Sequence, residues 1–118
     1  MTLAAIRELL KAEVLSNNNS LDQDIQTANA SDLMSDVLAF AVPGSLLLTG
    51  LTNAQVIRTC EIAGICAVVF LRGKKPAIET VKMSEEFNIP VMATKLTMFE
   101  ACGVLYTHGL KPQSTKHE

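Results

Sequence analysis

Three stretches of strand length, Ser45 to Thr49, Cys66 to Leu71 and Ile89 to Ala93, are apolar on consecutive positions rather than on alternate ones. A strand reads that way when both of its faces are covered, and this is the usual condition of strands in a parallel sheet with helices on either side. Each run is followed by a short polar loop and then by a helix-like segment. Strand, loop and helix repeated in this way form βαβ units, which call for an α/β fold: a mostly parallel sheet flanked by helices and joined by right-handed crossovers.

The helical segments carry their own punctuation. Asn53 can cap a helix through Val56, Ile57, Cys60 and Ile62 that ends at Gly64, with Thr52 and Gln55 as an alternative capping box. Pro76 suits the first turn of a helix through Ile78, Val81, Met83 and Phe87, with Asn88 as its end cap. Thr97-Met98-Phe99-Glu100 has the capping-box form and opens a last helix through Ala101, Val104 and Leu105.

Upstream of the repeat, Leu3, Ile6, Leu9 and Leu10 form an amphipathic stripe behind a Thr2 cap, and Glu13 to Leu15 is a short strand candidate. Ser16 to Ser20 reads as an exposed loop. Ile25 to Ala30 is a further strand candidate, with Ser31 as the N-cap of a helix running from Asp32 to about Phe40. Residues from Lys111 to Glu118 read as a polar tail. The 118 residues fit one domain, residues 1–118, with 48% hydrophobic residues to supply its core.

Composition removes several classes of function. A net charge of −2 and the absence of a basic stripe argue against nucleic acid, and 4% aromatic residues argue against a base-stacking platform. The longest apolar run, from Ala63 to Leu71, is about half of a membrane span. Charges at Arg7, Glu8, Lys11 and Glu13 break any secretory leader, so a cytoplasmic location is expected. Cys60, Cys66 and Cys102 match no metal spacing, and the two histidines, His108 and His117, have no third ligand nearby. Reduced thiols in the core are the default for the three cysteines.

Ligands of open α/β sheets bind outside the carboxyl ends of the strands. The loops there are Thr49 to Asn53, Arg72 to Lys75 and Thr94 to Thr97. They collect the hydroxyls of Thr49, Thr52, Thr94 and Thr97, the amide of Asn53, the flexible backbone of Gly73, and the cations of Arg72, Lys74, Lys75 and Lys95. Each loop leads into a helix N-terminus, where free N–H groups favour an anion. The set suits a phosphate or a nucleotide, and helix capping accounts for part of it without any ligand. No dinucleotide or Walker A motif is present, no cofactor is indicated, and no serine or cysteine stands with an obvious histidine base. Binding rather than catalysis is expected.

From about Ser31 to Leu110, roughly two-thirds of the chain, the sequence resembles the DRTGG domain family. Four stretches carry the likeness: Ser31 to Leu38, Pro43 to Gly50, Ile62 to Phe70, and Phe87 to Val91 continuing through Thr97 to Glu100. The residues that name the family are largely absent. Thr52 and Asn53 stand where its Asp-Arg pair is expected, and Leu71, Arg72 and Gly73 where its Thr-Gly-Gly is expected, so Gly73 alone corresponds. The resemblance implies a regulatory module that responds to an adenine nucleotide or another phosphorylated metabolite and forms a homodimer. It also implies an alternative role for the stand-alone branch found beside iron-only hydrogenase genes, as an accessory subunit acting through a homodimer or a redox-enzyme partner. The methionines and aromatic residue Met34, Met92, Met98 and Phe99 exceed what a core of this size needs and favour an interaction surface.

Overall fold

The computed structural model describes residues 1–16 and 18–112. Among the described residues five α-helices and six strands follow in the order α1 (Leu3–Leu10), β1 (Glu13–Ser16), β2 (Thr27–Ala30), α2 (Met34–Phe40), β3 (Leu46–Thr49), α3 (Ala54–Ala63), β4 (Ala67–Phe70), α4 (Ile78–Glu86), β5 (Val91–Ala93), α5 (Met98–Thr107) and β6 (Lys111–Pro112). The strands form one sheet in the order β1-β5-β4-β3-β2-β6. All neighbours are parallel except β1, which runs antiparallel to β5 with Glu13 opposite Ala93. The expected mostly parallel α/β sheet is therefore observed.

The continuous apolar runs are explained by two cores, one on each face of the sheet. Successive side chains of a strand point to opposite faces. Leu46 and Leu48 of β3, Ala67 and Val69 of β4, and Met92 of β5 join Leu3, Ile6 and Leu10 of α1 and Ala101 and Leu105 of α5. Leu47, Val68, Phe70, Val91 and Ala93 point the other way, against Val37 of α2 and Val56, Ile57 and Cys60 of α3, with Met83 of α4 at the margin. Phe70 is fully buried, and burying one such side chain contributes about 1.5–3 kcal/mol.

Several local expectations need correction. Ser31 does not cap α2: its hydroxyl accepts from the Leu33 N–H, helix α2 starts at Met34, and Leu33 holds the cap position without a side-chain bond. Thr52 forms no capping box, because Asn53 Oδ1 accepts from the Gln55 N–H and caps α3 itself. Pro76 lies just ahead of α4, whose cap position is Ala77. Ser16 is buried at the end of β1 and bonds Ser84 across 2.9 Å, so the loop begins after it, and Asn18–Ser20 forms a short 3-10 turn. Lys111 and Pro112, read as tail, pair with Thr27 and Ala28 of β2. Asn17 and the residues from Gln113 to Glu118, His117 among them, lie outside the described residues.

Candidate functional site

The three loops at the carboxyl ends of β3, β4 and β5 meet. The Arg72 N–H donates to the Leu96 carbonyl at 2.8 Å and the Gly73 N–H to the Thr94 carbonyl at 2.8 Å, which ties the second loop to the third. Lys74 Nζ donates to the Gly50 carbonyl at 3.4 Å and ties the second loop to the first. Arg72 sits at φ 65° and Gly73 at φ 73°, a left-handed pair that turns the chain sharply after β4. Glycine takes this conformation without strain, whereas arginine at φ 65° is held there by its bond to Leu96.

Most hydroxyls of this region have partners within the chain. Thr49 Oγ1 donates to Asp32 Oδ1 at 3.0 Å and Thr94 Oγ1 to the Leu10 carbonyl at 2.7 Å, and both residues are buried. Thr97 and Glu100 complete a capping box: the Glu100 N–H donates to Thr97 Oγ1, and the Thr97 N–H donates to Glu100 Oε1. That carboxylate already occupies the N-terminus of α5, so this helix end does not offer free N–H groups to an anion in the way expected from sequence. Asn53 is used by the cap of α3, and the Thr52 carbonyl accepts from Thr80 Oγ1 at 3.0 Å. Sequence reasoning missed Asp32. Its Oδ1 accepts from both Thr49 Oγ1 and the Gly50 N–H, the latter at 2.7 Å, and this places a carboxylate at the first loop. An acidic residue two positions after a strand was the available signal.

The cations differ from the hydroxyls. Arg72, Lys74, Lys75 and Lys95 are all exposed. Lys75 pairs with Glu13 at 2.9 Å, and among the described residues neither Arg72 nor Lys95 takes part in an ion pair.

Chain direction narrows the site further. The loop after β4 leads to α4, on the face covered by α2 and α3, whereas the loop after the adjacent strand β5 leads to α5, on the opposite face beside α1. Adjacent strands whose connections leave in opposite directions open a crevice at their carboxyl ends, and this switch point is where ligands of open α/β sheets bind. A pocket of about 690 Å³ lies there. Gly73 and Lys75 come from the β4 loop, Thr94, Lys95 and Leu96 from the β5 loop, and Leu9 and Val104 from α1 and α5. The Thr49 to Asn53 loop stands one strand away and does not line it.

A second concavity, of about 350 Å³, lies between α5 and β2 and is bordered by Ala28, Ala30, Phe99, Cys102 and Tyr106. Phe99 is 89% exposed and Tyr106 68%. By contrast Met92 is buried, and Met34 and Met98 pack partly against the cores. Burial pushes the Cys60 thiol up to about 12 and the Cys66 thiol up to about 11, and it also raises that of Cys102, so all three stay protonated at neutral pH and are poor nucleophiles. Among the described residues no group of three or more histidine, cysteine or acidic side chains could hold a metal ion, and no helix is long and apolar enough to cross a membrane.

Sheet order and the apolar clusters on both faces define this chain as a mostly parallel α/β domain. It is similar to the CBS and DRTGG domains of the regulatory region of Clostridium perfringens pyrophosphatase, a structure solved with the activator diadenosine tetraphosphate. The superposition has a TM-score of 0.73 at 16% identity and covers 98% of this chain and 51% of that one. The chain thus spans about half the length of that regulatory region. No family model and no curated relative matches the sequence.

Proposed function

We propose that the protein is a non-catalytic regulatory module that binds a phosphorylated metabolite, foremost an adenine nucleotide, at the carboxyl ends of its strands, and that it acts in the cytoplasm. The observation that carries this reading is the switch-point crevice, which is lined by the exposed cations Lys75 and Lys95 and has Arg72 and Lys74 on the same β4 loop as Lys75, outside its lining. Gly73, Thr94 and Thr97 shape the β4 and β5 loops, whereas Thr49, Thr52 and Asn53 belong to the neighbouring loop outside the crevice. The similar pyrophosphatase region was solved with an adenine nucleotide activator, which supports the same class of ligand here. A thermal-shift screen of adenine nucleotides tests the proposal. A ligand at 100 times its dissociation constant adds about 2.7 kcal/mol to stability. Arg72→Ala and Lys95→Ala should each reduce the resulting rise in melting temperature. If no phosphorylated compound raises the melting temperature, the proposal fails.

A second reading is an accessory subunit acting through a homodimer or a redox-enzyme partner. Exposure of Phe99 and Tyr106 on α5, and of Leu33, Leu38 and Phe40 around α2, favours it. The two readings are compatible.

A further inference from the structure

The crevice between β4 and β5 has an apolar floor as well as a charged rim. Leu9 of α1, Leu96 of the β5 loop and Val104 of α5 each pack on the core below and keep part of their surface open to the pocket. Behind them Leu10, Ala93 and Thr94 are buried. The Thr94 hydroxyl is committed to the Leu10 carbonyl, so the wall on that side offers carbon rather than hydrogen-bonding groups. The charges stand elsewhere on the lining: Lys75 and Lys95 on the two adjacent loops, Lys11 at the end of α1, and one carboxylate, Glu13. Lys75 is paired with Glu13 in the open, and exposed pairs contribute only about 0–1 kcal/mol, so turning Lys75 toward a phosphate costs little.

An inorganic anion would use the rim and leave the floor wet. A purely apolar molecule would use the floor and leave the ammonium groups of Lys11 and Lys95 without a counter-charge. We infer that the crevice takes a nucleoside monophosphate or a phosphate ester built like one, with its phosphate between Lys75 and Lys95 and its flat ring on Leu9, Leu96 and Val104. This assignment rests on the anion-binding reading above and adds to it the subsite for the base. At about 690 Å³ the pocket falls within the range of small-molecule sites, roughly 300–1,000 Å³.

Calorimetric titration of the full chain with AMP, ribose 5-phosphate and inorganic phosphate tests the assignment. AMP should bind about tenfold more tightly than ribose 5-phosphate, the gain expected from covering about 60 Å² of apolar surface. Leu96→Gln, or the nearly isosteric Val104→Thr should the first variant not fold, should bring AMP to about the affinity of ribose 5-phosphate and leave the latter unchanged. Lys95→Ala should weaken both by about tenfold. Equal binding of AMP and ribose 5-phosphate, or an AMP preference untouched by Leu96→Gln and Val104→Thr, overturns the base subsite and leaves the anion reading standing. If none of the three probes binds, the anion reading itself has failed and the subsite goes with it.

Discussion

Thr94 and Lys95 are neighbours in sequence with opposite duties. The Thr94 hydroxyl is buried, donates to Leu10 and accepts from the Leu96 N–H at 3.3 Å, so it ties the end of α1 to the β5 loop. Thr94→Val removes this group and leaves a buried carbonyl without its donor, which should cost about 1–3 kcal/mol, read from the midpoint of urea denaturation. Lys95→Ala should stay within about 0.5 kcal/mol of the parent protein, since its side chain is exposed and holds nothing else in place. The cysteines give a second prediction at this scale. A buried thiol contributes its full stabilisation below the ordinary thiol value of 9.0 and loses it as the pH climbs toward its folded value, about 12 for Cys60. Stability should therefore fall across that alkaline window. Cys60→Ala should flatten the decline, and denaturation midpoints taken at successive pH values will show whether it does.

At the level of elements, two glycines separate necessity from tolerance. Gly64 ends α3 at φ 78°, and a Cβ there would meet Pro43 Cβ at 3.0 Å. Its position is also fixed by its carbonyl, which accepts from the Gly44 N–H at 2.7 Å. Gly64→Ala should destabilise the protein by about 1 kcal/mol or more, because the left-handed conformation and the contact both resist a side chain. Gly103 lies inside α5, and a Cβ there meets nothing within 4 Å. Gly103→Ala should stabilise by about 0.4–1 kcal/mol through the lower backbone entropy of the unfolded chain. Opposite shifts of the denaturation midpoint are the expected outcome, and shifts of the same sign would contradict it. The Asn53 cap, the Gly64 stop and the Thr97 capping box were all legible in the sequence, since each depends on residues within one turn of one another. Ser31 misled because a serine hydroxyl serves a turn as readily as a helix cap, and here the Leu33 N–H takes it. Lys111 and Pro112 were unreadable as a strand, because two residues carry no periodicity and their partners, Thr27 and Ala28, are distant in sequence.

For the whole molecule, the unpartnered side of α5 carries the remaining prediction. Phe99, Cys102, Gly103 and Tyr106 recur at helical spacing beside the groove against β2, while Ala101 and Leu105 face the core. Light scattering after size exclusion should show self-association, and Phe99→Asp should give a folded monomer, because an exposed side chain supports no core. A parent protein that is already monomeric and brings no partner through purification removes this reading. The α/β class, the covering of the strands on both faces and the three polar loops could be read from residue order alone, since apolar runs, caps and breakers are local consequences of backbone geometry. Tertiary structure decided which loops share a site. Placing β1 and β5 side by side, and sending the chain from β5 to the face opposite α4, turned three similar loops into one crevice between two of them and left Thr49 to Asn53 outside it. Strand order depends on contacts between residues far apart in the chain, and no local pattern of side chains encodes it.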